Sequence, residues 1–379
     1  MHQSLHDAWW HLATQRNPST LPDALACGLL QVGSIAYRAV VAARTLGYER
    51  GWIRSVRLPV PVISVGNLTV GGTGKTTCVE LLARKLTAAG RRVAVLSRGY
   101  GGARTTYQLG WGGGGLLVDG APAPDTGGLA DEPQLLARQL EGIPIVVGRR
   151  RDETGRLACE RLGADTLLLD DGFQHRGLQR DCDIVLIHAR TPFSGWPLLP
   201  RGPMREPMAA LARAHIAIIT KADEALNAVG GLSEHLRSFN PELLLVTAVH
   251  ELSGMRDALT GARVDLSAMP GKRLGLLSSI GDPEGFASSV HRLHATALWH
   301  ESFPDHHPYQ PADWQRILAR ARGVKPDAVV TTEKDWIRLQ RVLGHPPESA
   351  IPIWVLGVRM KLLSGEAELD ARLARVCAR

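Results

Sequence analysis

Apolar positions along the chain fall into three regimes. Residues 24–43 are mostly apolar but are interrupted by Gln31 and Arg38. From residue 59 the pattern changes to short, β-branched apolar runs separated by longer stretches. Runs at 60–65, 92–96, 143–147, 166–169, 184–187 and 216–220 have the length and flanks of buried strands, and 76–89 has helical spacing. Strand–helix–strand alternation of this kind predicts βαβ units and a doubly wound parallel sheet. Past residue 239 the alternation restarts. Strands are expected at 243–249, 274–278, 329–331 and 351–355, with helices at 283–293 and 311–321. The pattern therefore divides the chain into a segment 1–57, an α/β domain 58–240 and a second, smaller α/β domain 241–379. The glycine- and proline-rich stretches 110–115 and 122–128 read as flexible loop, either a mobile flap or an inert hairpin tip.

The first segment needs separate treatment. A bilayer span takes about 20 consecutive apolar residues with few or no charges, and the run 24–43 falls short of that. Trp9, Trp10, Tyr37, Tyr48 and Trp52 surround it, and Arg38, Arg44, Arg50, Arg54 and Arg57 meet only Glu49 in opposition. That mixture fits a helix lying in a membrane interface, with arginines facing anionic lipid; a buried helix packed on the following domain is the other reading. No small-residue cleavage site follows closely, so a signal peptide is not expected.

Composition narrows the partners. The 379 residues carry 44 basic and 37 acidic side chains, a net charge of +7, which favours an anionic partner without choosing among nucleic acid, nucleotide and acidic lipid. Hydrophobic residues at 44% and charged residues at 21% exclude a disordered chain. Cys27, Cys78, Cys159, Cys182 and Cys377 are scattered, with no CxxC spacing, so neither a disulfide framework nor a zinc cluster is indicated and a reducing compartment fits.

The chemistry starts at Gly71-Gly72-Thr73-Gly74-Lys75-Thr76-Thr77, between an expected strand and an expected helix. Backbone N–H groups at glycine-permitted angles cradle phosphate oxygens there, Lys75 reaches the terminal phosphates and the Thr76 hydroxyl suits a magnesium ion. The first glycine of the strict G-x-x-x-x-G-K-T pattern is replaced by Thr69, with Gly66 and Gly71 on either side. Next, the strand 166–169 ends in Asp170 and Asp171, where such folds hold metal. Asp131-Glu132-Pro133 opens a helix, which alone fits an N-cap as well as catalysis. In Phe303-Pro304-Asp305-His306-His307-Pro308-Tyr309 a carboxylate–imidazole pair for proton transfer fits better than a shared metal. Thr220-Lys221-Ala222-Asp223 is similar to the guanine-reading T-K-x-D of P-loop GTPases.

Together with Ser97-Arg98-Gly99-Tyr100-Gly101 and Arg201-Gly202-Pro203-Met204-Arg205-Glu206-Pro207, these segments resemble the tetraacyldisaccharide 4′-kinase family of Gram-negative bacteria over about residues 59–339. The resemblance implies a P-loop NTPase-like fold whose two α/β domains are joined by a two-stranded linker, with the C-terminal segment returning toward the first domain. It implies ATP and Mg2+, and transfer of the γ-phosphoryl group to the 4′-hydroxyl of a tetraacyldisaccharide 1-phosphate, a lipid A precursor, at the cytoplasmic face of the inner membrane. The product would be lipid IVA. Anionic membrane lipid is the expected surface partner; neither nucleic acid nor an obligate protein partner is expected.

By motif position Gly71, Gly72, Thr73, Gly74, Lys75, Thr76 and Thr77 would bind the nucleotide, with Lys75 also catalytic. Thr76, Asp170, Asp171 and Glu206 would form the metal region. Asp131 would be the base, assisted by His306 beside Asp305, and Arg98, Tyr100, Gln174 and His175 would contact the acceptor. Two competing readings remain: a P-loop GTPase of the metal-chaperone or targeting type, favoured by Thr220 to Asp223, and a membrane-recruited ATPase scaffold.

Overall fold

A computed structural model describes residues 9, 12–13, 20–99, 108–111, 115–118, 121–122, 131–190, 196–305, 307–343 and 351–378. A long helix, α1 (Leu21–Glu49), precedes the first α/β unit. That unit comprises β1 (Val62–Asn67), α2 (Lys75–Ala88), β2 (Val93–Ser97), the short strands β3 (Gln108–Trp111), β4 (Gly115–Val118) and β5 (Ala121–Pro122), α3 (Asp131–Gln139), β6 (Ile145–Val147), α4 (Arg151–Leu162), β7 (Thr166–Leu169), β8 (Cys182–His188), β9 (Ile216–Thr220) and α5 (Leu226–Phe239). The second runs through β10 (Leu244–Asp257), β11 (Arg263–Val264), β12 (Arg273–Ser278), α6 (Pro283–His291), β13 (Thr296–Ser302), α7 (Pro311–Val324), β14 (Ala328–Thr332), α8 (Glu333–Leu343) and β15 (Ile353–Ser364), before α9 (Glu366–Cys377) closes the chain.

The described strands form one sheet in the order β13-β12-β14-β15-β10-β9-β8-β1-β7-β2-β6-β3-β4-β5, with β11 paired to β10. From β9 to β6 every pairing is parallel. The chain leaves β1 for β2 on one side and later crosses to β8 and β9 on the other. The carboxyl end of β1 is therefore the switch point, where such sheets bind ligands. β1 shows why these residues make a central strand: Val62 to Asn67 are buried at every position, so both faces must be covered by helices.

Residues 112–114 and 123–128 of the expected loops lie outside the described residues, and the ends of the first belong to a strand pair, in keeping with its reading as a hairpin tip. Gln108–Trp111 and Gly115–Val118 pair antiparallel with each other, and Gln108–Gly110 pair with β6. Edge pairing of this kind needs only backbone groups, so the glycines do not prevent it.

Two long strands join the units. Leu244 to Thr247 of β10 pair parallel with β9, and from Thr247 onward the strand pairs antiparallel with β15. β15 in turn starts alongside β14. Helix α9 then returns to the first unit, where Leu369, Leu373 and Val376 share a core with Cys78, Leu82, Leu86 and Val246.

Helix α1 is neither buried nor detached. Ser34 Oγ donates to Leu198 O (2.9 Å), the Tyr37 hydroxyl to Arg205 O (2.9 Å) and Arg44 to Gln174 O (2.6 Å). The other face leaves Leu25, Leu29, Val32, Ile35 and Val40 each more than 60% exposed. By length and composition residues 22–49 form a helix long and apolar enough to cross a membrane, more than the run 24–43 promised.

Candidate active site

The loop after β1 takes its shape from two glycines. Gly71 (φ 112°) and Gly74 (φ 84°) occupy left-handed backbone, whereas Thr69 has no positive φ and is buried, bridging to Met204. Thr69 therefore needs no glycine. Gly66 serves packing instead: a Cβ there would lie 2.5 Å from the Phe173 Cβ. Asn67 Nδ2 donates to Thr73 Oγ1 (3.0 Å) and Thr220 Oγ1 to Thr73 O (3.3 Å), which fixes the loop's centre. Helix α2 begins at Lys75 with no side-chain cap, so its first N–H groups and its dipole face the loop.

At the carboxyl end of β7 two adjacent acids have opposite fates. Asp171 accepts both nitrogens of Arg205 (2.7 and 3.0 Å) and lies 3.7 Å from Lys75 Nζ. Burial pushes its pKa up, but Lys75 and Arg205 outweigh that and hold it at about 2. Asp170 is buried and accepts one bond from Ser97 Oγ (3.2 Å), while its Oδ1 has no hydrogen-bond partner. Burial, then the charges of Glu132 and Asp171, raise it to about 6. Beneath the pair, buried Arg151 donates to Leu96 O and, at 3.0 Å, to Asp170 O, tying β2 to β7.

The second unit meets this surface directly. A Cβ on Gly281 would lie 3.1 Å from Gly72 N and 3.3 Å from Asp305 Oδ2, so the Asp305 loop stands beside the phosphate loop. Lys221, left-handed after β9, pairs with Asp282, which is a structural use for the segment similar to a guanine reader. From β10, His250 Nε2 sits 3.1 Å from Thr77 Oγ1. Burial, then Lys221 and His188, push its pKa down to about 4.

Asp131 opens α3 and is gripped from α8: Arg338 Nε donates to Oδ2 (2.5 Å) and Arg341 Nη1 to Oδ1 (2.6 Å). Beside it Glu132 pairs with Lys334 (3.0 Å).

A cavity of about 760 Å³ lies between the two units, lined by Asp131, Glu132 and Lys334 on one side and the phosphate loop on the other, with Arg338 and Arg341 behind Asp131. Of the residues expected from sequence, Gly71, Gly72, Thr73, Gly74, Lys75, Thr76, Thr77, Arg98, Asp131, Asp170, Asp171 and Asp305 line it. Gln174 stands behind, accepting from Arg205 Nη1 (3.2 Å) and donating to Asn67 O (3.0 Å). His175 is half-buried, and burial followed by the charges of Arg151, Arg180, Arg44 and Arg98 lowers its pKa to about 4, so it is neutral near pH 7. Glu206 does not line the cavity: its carboxylate is taken by Arg213 (2.8 and 3.0 Å), whose guanidinium lies 3.7 Å from the Phe173 ring centre. Tyr100 and His306 lie outside the described residues. Among the described residues no three His, Cys, Asp or Glu side chains gather as a metal cage.

Arg205, Lys221, His250, Lys334, Arg338 and Arg341 were missed by sequence reasoning. Arg205 carried a signal inside the quoted 201–207 segment, and Lys221 inside the quoted 220–223 segment, where it was read for guanine; the others meet the site through tertiary packing alone.

A lysine and helix N-terminus at the switch point of a parallel sheet, with acids ending the adjacent strand, define a P-loop phosphotransferase of the α/β class. Within that class the chain belongs to the tetraacyldisaccharide-1-P 4′-kinase family, whose model matches residues 26–378. It is 40% identical over 378 residues to the tetraacyldisaccharide 4′-kinase of Anaeromyxobacter sp. (strain K), covering 98% of this chain and 96% of the relative. Against the enzyme of that name from Syntrophus aciditrophicus (strain SB) the identity is 41%, covering 88% and 89%. The crystal structure of the "apo" form of LpxK from Aquifex aeolicus in complex with ATP superposes with a TM-score of 0.69 at 27% identity, covering 93% of this chain and 99% of that one.

Proposed function

We propose that this chain transfers the γ-phosphoryl group of ATP to the 4′-hydroxyl of a tetraacyldisaccharide 1-phosphate, forming lipid IVA. The observation that carries the reading is the shared cavity: Lys75 and the loop glycines form one side, and Asp131 stands within the same space. Phosphoryl transfer through a loose transition state is chiefly positioning and charge stabilisation. Lys75 and the α2 N-terminus stabilise the phosphates. Asp131 orients the attacking 4′-oxygen and takes its proton late, as the bond from the γ-phosphorus to the bridging oxygen breaks and ADP leaves with the electron pair. Arg98, which lines the cavity, suits an anionic disaccharide.

Asp170 fits a hard cation, because its buried Oδ1 lacks a partner and its raised pKa marks an uncompensated negative charge. With Thr76 it would hold Mg2+, which when bound neutralises charge on the phosphates. Asp171 organises the site instead, its carboxylate being committed to Arg205 and Lys75.

Helix α1 would attach the enzyme to the cytoplasmic face of the inner membrane. Contacts from Ser34 to Tyr48 fix it along the first unit, while the exposed apolar face is open to lipid. Replacing both Leu25 and Leu29 by Ser is expected to weaken sedimentation with anionic vesicles about tenfold or more, leaving the melting temperature unchanged; undiminished sedimentation would remove the helix from this role.

The decisive experiment incubates the detergent-solubilised protein with magnesium and γ-labelled ATP or GTP, with and without tetraacyldisaccharide 1-phosphate. Label entering lipid from ATP, and not with Lys75→Ala, is the expected result. GTP-preferring hydrolysis without labelled lipid would overturn the kinase reading in favour of a GTPase.

A further inference from the structure

The grip of α8 on Asp131 is built too deliberately for a surface ion pair. Arg338 is only 5% exposed, and its Nη1 is held by Ser279 O (2.8 Å), Ser279 Oγ (2.8 Å) and Asp335 Oδ1 (3.5 Å). Asp335 is wholly buried. Its Oδ1 accepts from Ser279 Oγ (2.5 Å) and the Tyr309 hydroxyl (3.3 Å), and its Oδ2 from Thr332 Oγ1 (2.7 Å). A buried carboxylate–guanidinium pair is costly to desolvate and contributes little net stability compared with apolar packing. When its remaining donors and acceptors are satisfied, however, it is rigid. This one is satisfied on every side, and its Nε–H points across the cleft at Asp131 Oδ2. Arg341, more exposed, holds the other carboxylate oxygen and also donates to Gln134 Oε1 (2.6 Å).

We propose that Arg338 and Arg341 are positioning residues for phosphoryl transfer: from the second unit they orient the Asp131 carboxylate and keep it ionised to receive the 4′-hydroxyl proton. Arg338 is the fixed support and Arg341 the adjustable one. Asp131 is thereby correctly set only while α3 and α8 are docked, which makes proton acceptance conditional on a closed cleft. The proposal rests on the reading of Asp131 as the proton acceptor.

The groups facing Asp131 determine the sign of the pH effect. Arg338 and Arg341 approach from α8, with Asp335 behind Arg338. Lys334 on the same helix is paired with Glu132 and lies within reach of the Asp305 charge, and Glu132 in turn acts on Asp170 at the end of β7. Removing an arginine from beside a carboxylate raises its pKa, so the acid limb of the kcat–pH profile must move upward.

The test uses the full-length enzyme in detergent with ATP and tetraacyldisaccharide 1-phosphate. Arg338→Ala should lower kcat about a hundredfold and move the acid limb up by about one to two pH units, with the KM for ATP within about twofold. Arg338→Lys keeps the charge but cannot bridge Ser279 and Asp131 together, so kcat should fall about tenfold with a smaller pH shift. Arg341→Gln, at a partly exposed position, should fold normally and move the limb by about one unit; it decides by the same readouts if the Arg338 variants do not fold. In an Asp131→Asn background the arginine substitutions should cost no further activity, since they act through the missing carboxylate. Normal turnover of Asp131→Asn would sink the base reading itself. A crippled Asp131→Asn alongside folded arginine variants with unchanged kcat and acid limb would leave that reading intact and overturn the positioning role.

Discussion

The floor and the wall of the cleft are made in different ways. The floor is local: residues 71–77 and 170–171 follow strands β1 and β7, which are hydrogen-bonded neighbours in a buried parallel sheet. Sheet register therefore places Lys75 beside Asp171 without help from the second unit. The wall is assembled from groups far apart in sequence; Asp131 and Arg341 are 210 positions apart. It exists only while two units are docked. The proposed role of Asp131 thus depends on α8 packing against α3, whereas the phosphate loop is shaped by groups of the first unit alone.

Substitutions can break that contrast or sharpen it. The largest effect is expected on the floor: Lys75→Ala should cut lipid phosphorylation by about a hundred- to a thousandfold in a transfer assay, with the melting temperature nearly unchanged. Asp170→Asn should also lose magnesium-dependent transfer, yet gain stability. A carboxyl whose folded pKa is raised is harder to ionise in the fold than in the unfolded chain. Its cost is thus fully present above about pH 6 and vanishes as pH falls below the ordinary carboxylate value. Thermal unfolding without magnesium at pH 8 should show a gain on the order of 2 kcal/mol, shrinking as the pH is lowered to 4. An equal gain at both pH values would contradict the assignment of the burial cost to ionised Asp170.

Gly66→Ala tests whether the floor depends on close packing rather than chemistry. The added methyl meets Phe173 and should cost about 1–3 kcal/mol in denaturant unfolding. The smallest effect belongs to the wall's rim. Gln340 accepts from Arg138 in an exposed contact at 2.9 Å, so Gln340→Ala should shift stability by no more than about 0.5 kcal/mol and kcat by less than about twofold. A large loss there would mean that the wall's energy is spread along α3 and α8 instead of concentrated at Asp131.

The same contrast sets what could be read from the chain. Strands β1, β2, β7, β8 and β9 are short, largely apolar runs with clear stops, so the α/β architecture and the phosphate loop were legible. Asp170 and Asp171 were found as a pair, but their division of labour depends on Arg205, which arrives from a separate segment. Glu206 carried the right chemistry in a motif next to the site, yet its carboxylate is paired with Arg213 and does not line the cavity. Of the β3–β4 pair only the glycine-rich stretch between was read, as a flap or hairpin tip, because backbone pairing near a sheet edge leaves no clear apolar period in the flanking strands. Arg338 and Arg341 resemble the outer charges of any amphipathic helix; only docking against Asp131 gives them an address.

The return of α9 has a consequence for how the molecule is made. The core that packs against α2 includes Leu369, Leu373 and Val376, contributed more than a hundred residues after β9. During synthesis this part of the phosphate-binding half's core therefore stays uncovered until the second unit and α9 have been translated. Non-local closure of this kind is slow and exposes a nascent chain to aggregation. The final helix thus acts as a clasp, and a chain stopped at Gly365 would carry every motif of the phosphate loop on an unfinished body.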